Sequence, residues 1–159
     1  MRAYKQKKPL EKKDFVRFQD LAKLINHYLK DEGITLTFKG YNETLRDYFR
    51  MDDNNTPVAF ELMTHCNLWA NYFGDIEGVI QSKALELQLN IDQLKAQEDK
   101  KNPEEERLTT ITELTKKHKD LVLFLKYLKN QRKFFDKAHL HCYRVYAQIV
   151  NTLRFKSLN

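Results

Sequence analysis

The sequence contains few of the residues that turn or break a polypeptide chain. Only 4 Gly and 3 Pro occur among its 159 residues. Turns are therefore few and the regular elements are long, which argues against a many-stranded sheet and favours helices. Ten Phe, eight Tyr and one Trp supply more aromatic area than a disordered chain would carry.

Long apolar runs and a secretory signal are also missing. No run approaches the roughly 18 apolar residues of a membrane span, and the basic N-terminus is not followed by the apolar segment of an export signal. Cysteine is scarce, and reduced thiols are the expectation for Cys66 and Cys142. The expected location is cytoplasmic, with association with a virion as an alternative.

The N-terminal third predicts a basic arm followed by short helices. Residues 1–13 hold six Lys or Arg and one Glu, which is typical of a flexible arm. Residues 14–56 contain two short helical patterns, the first beginning at Asp14 and ending at Gly33. Asn42 is placed to cap the second helix.

The rest of the chain, residues 57–159, predicts a helical hairpin. Apolar residues recur at spacings of three and four on both sides of a polar break at 99–103. The first arm, residues 57–98, has a seam formed by Leu62, Cys66, Trp69, Phe73, Ile76, Ile80, Ala84, Leu87, Ile91 and Leu94. The second arm, residues 103–155, has a seam formed by Ile111, Thr115, His118, Leu121, Leu125, Leu128, Arg132, Phe135, His139, Cys142, Tyr146, Ile149 and Leu153.

We therefore predict an all-α protein, a long antiparallel helical hairpin resembling a coiled coil, with two shorter N-terminal helices. Arg132 and His118 interrupt the second seam. Each is expected to pair with an acid of the first arm, such as Glu77 or Asp92, and so to fix the register. The end of the second arm is expected to extend past Pro57, where the two N-terminal helices could cover it.

Positive charge is concentrated on the second arm. The formal net charge is +6, yet residues 57–98 are acidic and residues 116–159 are strongly basic. Five cations lie within about 40° of one another on a helical wheel, opposite the apolar seam, over roughly 37 Å. We call them the cationic stripe: Lys119, Lys126, Lys133, Lys137 and Arg144.

This stripe is the candidate binding site. A solvated helix face normally mixes charges of both signs, whereas the stripe contains no acid, and Tyr127 and Phe134 flank it. Cations interleaved with flat rings suit a phosphate backbone with stacked bases. These seven residues are predicted to bind nucleic acid, and the alternatives are plain solvation or contact with an acidic protein surface.

No catalytic, cofactor or metal site is predicted. Phosphate-binding, dinucleotide-binding and zinc-protease motifs are all missing from the sequence. A hairpin centred near residue 100 would bring Cys66 opposite Phe135, one turn from His139. A zinc site with Cys142 is thus conceivable, but small buried thiols on a packed seam are the favoured interpretation. The same offset argues against a disulfide.

Residues 57–155 resemble the small helical accessory proteins of bacteriophages, in particular the UvsY-type recombination mediators. The resemblance rests on Trp69 to Tyr72 opening a long helix, a polar break near Lys100, and Gln131 to Phe134 on the second helix. It implies a helical oligomer that binds single-stranded DNA and helps to load a recombinase. No functional residue is carried over to this chain.

The leading hypothesis is a non-enzymatic, self-associating helical protein that binds nucleic acid without sequence preference, as a phage-type recombination or replication accessory would. Self-association is expected because the second arm is apolar more than half-way round, including Val122 and Leu140. One alternative is a structural or assembly protein of a virion or scaffold. Another is a helical inhibitor or adaptor of a second protein.

Overall fold

The structure, a computed structural model, describes residues 12–52, 56–97 and 104–157. Within these ranges the chain forms four α-helices and one short 3-10 turn, with no strand. The all-α prediction is confirmed. The bounds are α1 Lys12–Leu29, the 3-10 turn Lys30–Glu32, α2 Tyr41–Arg50, α3 Thr56–Ala96 and α4 Glu104–Ser157.

Helices α3 and α4 form the predicted antiparallel hairpin. They contain 41 and 54 residues, or roughly 60 and 80 Å of helix. Phe60 packs against Tyr146, and Phe73 packs against Phe135, so residue numbers rise along one helix as they fall along the other. The predicted break at 99–103 lies outside the described residues. No described helix combines the length and the apolar character that crossing a bilayer requires.

The predicted register was wrong by seven residues of α4, or about two helical turns. The ring of Phe135 lies 5.7 Å from that of Phe73, which centres the hairpin near residue 104 rather than 100. Cys66 therefore meets Cys142, not Phe135. Near the turn, Arg107 in the first turn of α4 donates to the carbonyl of Gln97, just past the end of α3.

Most of the predicted seam of α3 is buried, although Trp69, Leu87 and Leu94 are only half-buried. The buried face of α4 is rotated relative to the prediction. The expected α4 residues His118, Leu125 and His139 are only half-buried, and Arg132 is exposed. Arg132 nevertheless forms its predicted ion pair with Glu77, at 3.7 Å. The face that α4 buries instead consists of Leu121, Phe124, Leu128, Gln131, Phe135, Ala138, Cys142 and Val145.

The rotation follows from the position of α1. This helix runs antiparallel to α4, with the ring of Phe15 5.6 Å from that of Phe134 and the hydroxyl of Tyr28 donating to Asp120 at 2.6 Å. It turns the hairpin into a three-helix bundle over the middle of α4. The prediction that the N-terminal helices cover the far end of the hairpin was wrong, and Leu153 there is 60% exposed.

The bundle is closed by an aromatic core. Phe18 is fully buried and packs at 5.2 to 5.6 Å from the rings of Phe38, Phe73 and Phe124. Beside them the hydroxyl of Tyr41 donates to Oε1 of buried Gln131 at 2.6 Å. Burial raises the pKa of Tyr41, since the phenolate would lose its hydration. Large buried rings contribute much of the free energy gained when a core forms. Most of the stabilisation is therefore expected where these rings pack together.

Two glycines set the helix boundaries in the N-terminal region. Gly33, with φ of +71°, ends the first helical segment as predicted, and Gly40 precedes α2 with φ of +84°. The prediction that Asn42 caps α2 was wrong, because the helix already begins at Tyr41. The Asn42 side chain instead accepts a hydrogen bond from Gln19 of α1 at 2.6 Å, which ties α2 to α1.

Candidate nucleic-acid interface

The cationic stripe lies on the outward face of α4. Lys119, Lys126 and Lys133 repeat every seven residues, as do Lys137 and Arg144, so the continuous helix carries them on one side. All five side chains are exposed. The helix is unbroken from Glu104 to Ser157, which makes the stripe a straight row of roughly 37 Å.

The cations of the stripe form no ion pair with the carboxylates that the structure describes. Among those residues, none of the five lies within 4.0 Å of a carboxylate oxygen. Lys83 of α3, by contrast, contacts Glu32 at 2.5 Å and Glu86 at 2.7 Å. Unpaired cations in a row generate a local positive potential that attracts polyanions.

The two acids of this stretch of α4 differ in their surroundings. Asp120 is half-buried on the side covered by α1, where it accepts the hydrogen bond from Tyr28. Burial, that hydrogen bond and the charge of Asp120 raise the pKa of Tyr28 to about 12. Lys117 lies 5.6 Å from the centre of the same ring. Asp136 is exposed, and like Asp120 it is the direct sequence neighbour of a stripe lysine.

The two predicted stacking residues lie on the covered side of α4. Phe134 is half-buried, and its ring packs against those of Phe15, Tyr48 and Phe49 at 5.6 to 5.8 Å. Tyr127 is also half-buried and packs against the core. The structure thus brings the five cations together on one face but does not bring these two rings to it.

Sequence reasoning missed two exposed residues beside the stripe. Lys129 is an exposed cation just outside the narrow sector of the wheel that defines the stripe. Tyr143 is 53% exposed and precedes Arg144. A sector widened on the side away from α1 and α2 would have found both, and it would also have included the exposed acid Asp136.

The cysteines and histidines form a separate, buried group. Cys66 and Cys142 are not joined in a disulfide, and both are fully buried. A hydrogen bond between the two thiols is the main cause that raises the pKa of Cys66, and burial is the second. The Cys66 thiol therefore stays protonated. Nδ1 of His139 lies 2.9 Å from the carbonyl of Met63. Within the described ranges no three His, Cys, Asp or Glu side chains are grouped to hold a metal ion.

Comparisons with known proteins supply no further guide to this face. No protein-family model, curated protein or solved structure matches the chain. The resemblance to the UvsY-type mediators therefore stays a prediction. The interpretation of the stripe rests on its own geometry and charge.

Proposed function

We propose that this protein binds nucleic acid through the phosphate backbone, using the cationic stripe of α4 as the contact surface. The observation that carries the proposal is the row of exposed cations, none of them within 4.0 Å of a carboxylate among the described residues. Neutralising phosphates releases counterions, and this release supplies most of the free energy of sequence-independent binding.

Binding is expected to depend on phosphates more than on stacked bases. Phe134 and Tyr127 are engaged in the packing of α1 and α2, so they contribute to the fold rather than to contacts with bases. Tyr143 is the exposed ring next to the stripe and is the one positioned for stacking. The activity is non-enzymatic and tolerant of sequence, as in a phage-type recombination or replication accessory.

The direct test is a titration of a fluorescent single-stranded oligonucleotide, followed by anisotropy at low salt. In the test variant all five stripe residues are changed to Gln, which keeps the helix propensity high. The matched control changes five exposed cations away from the stripe, namely Arg17, Lys23, Lys30, Arg50 and Lys95. Both variants lose the same net charge.

The proposal predicts that the stripe variant loses roughly a hundredfold or more in affinity at about 50 mM salt, since about five phosphate contacts disappear. The control should lose far less, through long-range attraction alone. Equal losses in the two variants would show that only net charge matters. The absence of binding by the wild-type chain at low salt would end the proposal.

A second candidate function is an assembly protein that acts through helix packing. Exposed apolar side chains favour it: Val122 and Leu140 are 47% and 51% exposed on the outward side of α4, and Leu140 continues the seven-residue spacing of Lys126 and Lys133. Exposed apolar surface of this kind is common at interfaces between chains. Defined oligomers that persist at high salt and ignore oligonucleotides would favour this function.

A further inference from the structure

A groove unrelated to the cationic stripe runs between α2 and α3. Its volume is about 620 Å³. Carboxylates of α2 form one wall, aromatic residues of α3 form the floor and the other wall, and the connection before α2 closes one end. The residues on which the argument depends are Lys39, Glu43, Asp47, His65, Trp69 and Tyr72.

The aromatic side of the groove is held in place by hydrogen bonds and ring contacts. Nε1 of Trp69 donates to Oγ1 of Thr44 at 3.2 Å, and the hydroxyl of Tyr72 accepts from the backbone N–H of Thr37 at 3.0 Å. The Trp69 ring also stacks on Phe73, with centroids 5.7 Å apart. A rigid aromatic surface loses little conformational entropy when a ligand packs on it.

Negative charge lies directly beside this aromatic surface. Glu43 and Asp47 are exposed and four residues apart on α2, hence on the same face of the helix. A smaller adjoining cavity shares Asp47 and His65 with the groove, and its other charged lining residues are Glu61, Asp52 and Arg50. Asp47 pairs with its sequence neighbour Arg46 at 3.0 Å, but both side chains are about half exposed, so this contact is weak.

We propose that this groove binds an arginine side chain presented by a partner polypeptide. A guanidinium is planar and cationic, so it can pack against the aromatic lining of the groove while the carboxylates of Glu43 and Asp47, which line the same groove, accept its hydrogen bonds. The carboxylates repel phosphate, which argues against nucleic acid as the occupant. Lys39 lies at the margin of the groove and favours a ligand that also presents an acceptor, such as a peptide carbonyl.

Trp69 makes the test direct, because it is the only tryptophan in the chain and its fluorescence reports on the groove. The full-length protein is titrated with a short end-blocked Gly-Arg-Gly peptide. The comparison peptide contains citrulline, which has the same shape without the charge. The arginine peptide should produce a saturable change in Trp69 fluorescence, and the citrulline peptide should produce none.

The site is then assigned with two double variants. Glu43→Gln with Asp47→Asn should weaken binding of the arginine peptide by roughly tenfold. The matched control, Asp75→Asn with Glu113→Gln, removes two exposed acids elsewhere and should bind as the wild type does. Circular dichroism of both variants verifies that the helices are retained.

Two results would overturn the proposal. One is the absence of a saturable change with the arginine peptide, or equal affinity in the two double variants. The other is a wild-type chain that self-associates in sedimentation experiments and stops doing so when Glu43 and Asp47 are neutralised. In that case the occupant is a second copy of this chain rather than a different polypeptide.

Discussion

The two sides of α4 have the same helical backbone but opposite surroundings. On the covered side, Asp120, Phe134 and His141 contact Tyr28, Phe15 and Tyr48 of the N-terminal helices. On the outward side, the cationic stripe faces solvent without a carboxylate within 4.0 Å among the described residues. Packing partners therefore decide which polar and aromatic groups of one helix serve the fold and which remain available to bind.

This difference predicts that the two sides respond differently to substitution. Side chains on the covered and buried sides should control the free energy of unfolding, whereas those on the outward side should control affinity for nucleic acid. The following predictions are ordered from the largest expected effect to the smallest.

Phe135→Ala should have the largest effect on stability. Its ring is fully buried between Tyr41, Trp69 and Phe73, so truncation leaves a cavity and should lower the free energy of unfolding by about 3 to 5 kcal/mol. Urea unfolding followed by circular dichroism measures the change.

Lys126→Gln on the outward side is the comparison for Phe135→Ala. It should change the free energy of unfolding by no more than about 0.5 kcal/mol, because the side chain is exposed. Similar losses of stability for the two substitutions would contradict the division of α4 into a structural side and a binding side.

Phe134 and Tyr143 separate packing from stacking. Tyr143→Ser should weaken binding of single-stranded DNA by roughly tenfold, since a stacked base contributes about 1 to 3 kcal/mol, and should leave stability nearly unchanged. Phe134→Leu should lower the free energy of unfolding by about 1 kcal/mol through lost ring contacts and should leave affinity unchanged. Anisotropy titration and urea unfolding of both variants give the two readouts.

The reverse pattern, with Phe134 controlling affinity and Tyr143 controlling stability, would place the nucleic acid on the side covered by α1 and α2. The N-terminal helices would then have to leave α4 before binding. Protease protection of α1 in the complex distinguishes this outcome.

Tyr28→Phe should have a small effect on stability, and that effect should depend on pH. The substitution removes the hydrogen bond to Asp120, so it should cost about 1 kcal/mol at neutral pH. The folded-state pKa of Tyr28 is raised from 10.0 to about 12. Its contribution is therefore complete below about pH 10 and is lost as the pH rises towards 12. Urea unfolding of both proteins at several pH values measures the difference.

The wild-type chain should also lose stability over this alkaline range through Tyr41, whose pKa is raised by burial. Both proteins contain Tyr41, so its contribution cancels when the free energy of unfolding of Tyr28→Phe is subtracted from that of the wild type. A difference that stays constant, or that grows, between pH 10 and 12 would contradict the contact between Tyr28 and Asp120.

The heptad spacing and the short polar break were enough to predict two long antiparallel helices, because helical periodicity is a property of the local sequence. It also placed the cationic stripe on one side of α4, since helical periodicity fixes relative directions. It did not give the side on which α1 docks. That side depends on tertiary contacts such as Phe18 against Phe124. The docking of α1 rotated the buried face of α4 and covered Phe134.

The register error has a similar cause. A heptad seam can slide by whole turns at little cost in apolar burial, so the pairing of Phe73 with Phe135 is chosen by specific contacts. The ion pair between Arg132 and Glu77 is one of them, and it was predictable from the polar interruption of the seam. The groove beside Trp69 was not predictable, because it exists only where α2 and the connection before it dock on α3, and helical periodicity does not give that docking.

The most direct test of the central claim is the salt dependence of oligonucleotide binding by the wild type and the stripe variant. If five stripe cations each neutralise one phosphate, the logarithm of the association constant should fall with the logarithm of salt concentration with a slope of about −3.5 for a single strand. The variant with all five stripe residues changed to Gln should show a much shallower slope. Equal slopes for the two proteins would contradict the assignment of phosphate contacts to this face of α4.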